Sequence, residues 1–276
     1  MRLAALFLLV MTSTAFAEDL SNFERVLIPA VTKQEIAGAN GSRFVASRVF
    51  VSMDTAVRYF PHYATSVSEP AISQARPREL VDPFIVGPPS RLGRLLFLEK
   101  PLSNDVVVDA ALFSRAGDDQ RANETRLPIV RERDFKSGRT EILGVNSTYI
   151  YGPNACPNTA TPQFRHALRV YDVDSRGDGA VIVRVFTDIL GAGRAVTTPI
   201  REFTLPLTSR EGSDPSYPAY GEATIDEVCV PFSCHTPCSN VPLRVEIEPV
   251  TPGIRYWAMV SATDNFTQQV SLAYQQ

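Results

Sequence analysis

Leu243-Arg244-Val245-Glu246-Ile247-Glu248 alternates strictly between apolar and charged side chains. A period of two puts successive side chains on opposite faces of a β-strand, so Leu243, Val245 and Ile247 face a core while the charges face water. Val181, Val183 and Val185 alternate in the same way. Val106-Val107-Val108 and Val270-Ser271-Leu272-Ala273-Tyr274 add β-branched and aromatic runs. Helix signals are nearly absent. The 21 prolines punctuate the chain, and its longest proline-free stretch, 163–198, contains the turn sequence Gly177-Asp178-Gly179. Short strands with turn signals every eight to fifteen residues predict an all-β chain built as antiparallel sandwiches or barrels.

The two halves of the chain repeat each other. Arg48-Val49-Phe50 matches Arg169-Val170-Tyr171, and Ala56-Val57 matches Ala180-Val181. Arg78-Glu79-Leu80 with Pro83-Phe84 returns as Arg201-Glu202-Phe203 with Pro206-Leu207, so the offset stays at 121 to 124. It then jumps to 147 or 148, where Leu98-Glu99-Lys100-Pro101 meets Glu246-Ile247-Glu248-Pro249 and Ala111-Leu112-Phe113-Ser114 meets Ala258-Met259-Val260-Ser261. Five collinear matches predict two tandem antiparallel β-sandwich domains related by internal duplication, spanning 18–135 and 136–276. Asp134-Phe135-Lys136-Ser137-Gly138 reads as the linker between them. The change in offset marks about 25 extra residues in the second copy, expected as a loop insertion over about 208–242. In strand number and spacing the two units resemble immunoglobulin-like or fibronectin-type modules. A Cys…Trp…Cys signature is missing, so the resemblance implies architecture and no activity.

The chain has 276 residues, 44% of them hydrophobic and 21% charged, with a formal net charge of −3. That composition excludes a disordered chain and a multi-span membrane protein. A near-neutral balance also gives no basis for nucleic-acid binding. Residues 1–17 read as a secretory signal peptide. Arg2 precedes the apolar run from Leu3 to Met11, and Ala15-Phe16-Ala17 is a small-x-small cleavage site. The mature chain is then expected to be periplasmic or extracellular, with no transmembrane segment after signal removal. The 24 arginines against 3 lysines suggest a GC-rich bacterial genome. Four N-x-S/T sequons, at Asn40, Asn123, Asn146 and Asn265, matter only in a eukaryotic host.

All four cysteines lie in the second half: Cys156, then Cys229, Cys234 and Cys238 within the insertion. Three thiolates beside His235 could hold zinc. An exported compartment and a spacing unlike zinc ribbons favour two disulfides instead, in any of three pairings. Asp172-Val173-Asp174-Ser175-Arg176-Gly177-Asp178-Gly179 has the carboxylate spacing of a calcium loop, making Asp172, Asp174 and Asp178 weak calcium candidates. Arg176 stands where a ligand oxygen is needed, and a glycine-permitted hairpin turn between two strands is the favoured reading of the segment. The same residues spell the integrin-binding tripeptide Arg176-Gly177-Asp178. No Gly-x-Ser-x-Gly elbow, His-Glu-x-x-His, P-loop or dinucleotide-binding fingerprint occurs, and no cofactor is implied. Of the three histidines, His62 sits in a turn and His166 shares the inward parity of Leu168 and Val170. Trp257, the sole tryptophan, is either buried against a neighbouring unit or a sugar-stacking platform with Tyr217 and Tyr220. The expected function is non-catalytic, in protein interaction, adhesion or the cell envelope. Carbohydrate binding is the alternative, and an unrecognised hydrolase a second. The partner, protein or glycan, is not named by the sequence.

Overall fold

The computed structural model describes residues 20–29, 36–37, 42–52, 57–60, 73–78, 93–100, 107–116, 123–147, 149–150, 161–162, 164–187, 197–212, 216–225 and 241–276. The signal segment, the four cysteines, Asn40, His62 and His235 lie outside the described residues. Among the described residues the chain is all-β. Its strands are β1 (Phe23–Ile28), β2 (Ile36–Ala37), β3 (Ser42–Ser52), β4 (Val57–Phe60), β5 (Ser73–Ala75), β6 (Arg94–Glu99), β7 (Val107–Ala116), β8 (Asn123–Arg126) and β9 (Val130–Arg131) in the first half. The second half contributes β10 (Thr140–Ser147), β11 (Tyr149–Ile150), β12 (Thr161–Pro162), β13 (Phe164–Asp172), β14 (Gly179–Thr187), β15 (Arg201–Leu207), β16 (Ala219–Thr224), β17 (Val241–Pro249), β18 (Tyr256–Asp264) and β19 (Val270–Tyr274).

Four antiparallel sheets result, besides a two-stranded β11–β12 ribbon. Sheet 1 has the order β5-β4-β6-β1-β9, and sheet 2 the order β2-β3-β7-β8. Sheet 3 runs β16-β13-β18-β19, and sheet 4 runs β10-β17-β14-β15. The inward faces of sheets 3 and 4 share one hydrophobic cluster. Val181, Val183 and Val185 of β14 meet Leu243, Val245 and Ile247 of β17, with Leu168 and Val170 of β13 opposite. The alternation in sequence is therefore the alternation of burial, apart from Phe186 at the end of β14 and one buried charge. Glu246 is buried on the outer face, held by Arg244 and by Arg139 at 2.5 Å. Tyr256 crosses this core: its hydroxyl lies 2.8 Å from the carbonyls of Ile247 and Gly138 and 3.0 Å from Thr140 Oγ1. Burial pushes that phenol up to about 12, against the pull of Thr140.

Two sequence expectations change here. The segment 173–178 is not a hairpin turn, because β13 belongs to sheet 3 and β14 to sheet 4. It is an arch from one sheet to the other, built from the same turn residues, with Ser175 and Gly177 at positive φ. Nor is the 208–242 insertion only a loop. Ala219–Thr224 forms β16, which pairs with β13 from Ala167↔Thr224 to Asp172↔Ala219 and gives that strand its outer hydrogen-bond partner. Gly221 makes this possible, since a Cβ there would stand 2.5 Å from the Pro206 carbonyl oxygen of β15. Its replacement by alanine forces apart the edges of sheets 3 and 4. Gly221→Ala is expected to lower stability by about 1–3 kcal/mol in denaturant unfolding, and a change within 0.5 kcal/mol of wild type contradicts this close approach.

Candidate functional site

The residues with the most chemistry in the sequence converge on one place, the seam between the halves. Along β18, Tyr256, Ala258 and Val260 face sheet 4, so Trp257 and Met259 face the other way. Both sides of this strand are buried. β6 shows the same double burial over Leu95-Leu96-Phe97-Leu98. The outer face of sheet 3 (Tyr171, Trp257, Met259, with Val173 beyond the end of β13) and the sheet 1 face carrying Phe23, Leu27, Leu95 and Phe97 form a single cluster. Val130 and Phe135 close it. Trp257 is only 3% exposed, its ring centroid 6.1 Å from those of Tyr171 and Tyr274. Tyr171 donates its hydroxyl to the Pro29 carbonyl at 3.1 Å, across the seam.

The two tyrosines grouped with Trp257 are spent on the same seam. Tyr217 is 5% exposed, and the buried guanidinium of Arg94 lies 3.9 Å from its ring centroid. Beside it Arg94 Nη1 donates to Ser216 Oγ at 2.7 Å, and the Leu95 amide donates to the Ser216 carbonyl at 2.7 Å. Tyr220 is half-buried against the seam cluster. A sugar-stacking platform needs an open ring face. Trp257 and Tyr217 offer none, because both rings are buried, Trp257 in the seam cluster and Tyr217 beside Arg94.

A charged cluster rims the seam. Arg255 Nη2 lies 2.7 Å from Asp174 Oδ1 and 3.2 Å from Glu132 Oε1. Arg25, which shares strand parity with Phe23 and Leu27, reaches over from β1. Its Nη1 donates to Asp174 Oδ1 at 3.0 Å and to the Val173 carbonyl at 2.9 Å, and its Nη2 lies 3.5 Å from Glu132. Burial alone raises the Asp174 carboxyl, but the hydrogen bonds and charges of Arg255 and Arg25 outweigh it and hold the group below its ordinary value. The expected linker belongs to this structure too. Arg131 makes a two-pronged pair with Glu24 at 2.7 and 2.8 Å, and Lys136 exchanges backbone hydrogen bonds with Tyr256 at 2.9 and 2.8 Å. Phe135 between them is buried.

The three calcium candidates do not come together. Asp172 is fully buried and its carboxylate accepts the amides of Asp174 at 3.0 Å and Arg176 at 2.9 Å, fixing the arch. Burial pushes its carboxyl up, against the pull of those amides. Asp174 is taken by the arginines, while the side chain of Asp178 is 71% exposed, 3.5 Å from Arg176 Nε. Arg176 and Asp178 thus form a pair at the surface of the arch. His166 is buried beside the Phe164 ring. The sequons at Asn123 and Asn265 carry hydrogen bonds of their own, to the Thr267 carbonyl at 3.2 Å and from Arg165 at 2.9 Å. Arg25, Glu132, Arg255 and Arg94 were not picked out by motif. Arg25 had one signal, a charge on the apolar parity of its strand. No family model, no curated protein and no solved structure matches the chain.

Two outcomes follow. Trp257 emission in the native protein should be that of a buried indole and should not be quenched by mono- or oligosaccharides; quenching by any sugar contradicts the packed seam. Asp174 has a folded value below its unfolded one, so the stability it supplies is present above about pH 5 and lost as pH falls through the folded value. The stability gap between wild type and Asp174→Asn should therefore be open at neutral pH and close as pH falls below the ordinary carboxylate range. A gap that is constant with pH contradicts the ion cluster.

Proposed function

We propose that the chain is an exported, non-catalytic interaction module. Two related β-sandwich units of the immunoglobulin-like or fibronectin-like kind are locked into one body, which presents the cysteine-bearing segment of the second unit to a protein partner in or outside the cell envelope. The observation that carries this reading is the fate of the aromatic and charged groups. Trp257, Tyr217, Asp174 and their partners hold the halves together, so the groups best suited to a small-molecule site are consumed in making a rigid scaffold. This favours a protein partner over a glycan.

Duplication is supported by strand order. Sheet 1 contains β5-β4-β6-β1 and sheet 4 contains β15-β14-β17-β10. Sheet 2 contains β3-β7-β8 and sheet 3 contains β13-β18-β19. Taken in chain order, these are the same two arrangements. The register between the matched strands differs by one residue, since Val49 pairs with Ala110 whereas its match Val170 pairs with Ala258, the match of Ala111. β16 and the cysteine-bearing segment are what the second unit adds. The four cysteines are assigned to disulfides, and export to the signal sequence of residues 1–17.

The test uses the full chain in its producing cell. With its own leader it should appear outside the cytoplasm with a mature terminus near Glu18. A photo-activatable side chain at Ser233 should yield a discrete protein adduct, and the same group at Glu202, on the outer face of sheet 4, should yield none. An unprocessed cytoplasmic chain, or equal labelling at the two positions, overturns the proposal.

A further inference from the structure

We draw no further inference here: the strongest candidate, the side-chain cluster of Arg25, Glu132, Asp174 and Arg255 at the rim of the seam, belongs to the site already described, where each of its two carboxylates is taken by arginines from both halves.

Discussion

Everything else in the structure depends on the apolar seam between sheets 1 and 3. β6 and β18 are central strands buried on both faces, and the seam provides one of those faces for each. Full burial of a large apolar side chain is worth roughly 1.5–3 kcal/mol, and the seam holds Phe23, Leu27, Leu95, Phe97, Trp257 and Met259 together. The rim pairs are half-exposed, where an ion pair contributes about 0–1 kcal/mol. The apolar contact therefore decides that the halves associate. Arg25, Glu132, Asp174 and Arg255 decide the register in which they do so, because their geometry is satisfied only in one alignment.

The first half enters the seam through sheet 1 and the second half through sheet 3. Sheet 4 itself turns a different surface outward. There Arg184 pairs with Glu202 and Glu248 at 2.6 Å each, and Arg244 shields Phe186, its guanidinium 4.1 Å from the ring centroid. Those ion pairs put charge on the outer face of β14, β15 and β17. The proposed role as a presenting scaffold draws on the seam, where aromatic and charged groups are spent on joining the halves.

How much of this was legible depends on whether the physics was local. The alternation of β14 and β17 was readable because period-two burial is a property of consecutive residues. Tyr256-Trp257-Ala258-Met259-Val260 already showed apolar character on both faces, which states that a strand is covered twice without saying by what. The covering partner, sheet 1, lies far away in sequence. For the same reason Phe135 looked like part of a linker: its neighbours are charged and flexible in composition, and only the seam explains the ring. The arch at 173–178 carries hairpin residues, since a sheet-to-sheet arch and a hairpin ask the same of Gly177 and Asp172. Trp257, Tyr217 and Tyr220 look equally well suited to a sugar and to a seam, and tertiary packing is what separates the two.

Calorimetry of the mature chain tests the central claim most directly. If the seam makes one body of the two units, heating gives a single transition whose calorimetric and van't Hoff enthalpies agree. Two separated transitions, each with about half the total enthalpy, would show units that fold and melt independently and would contradict the account.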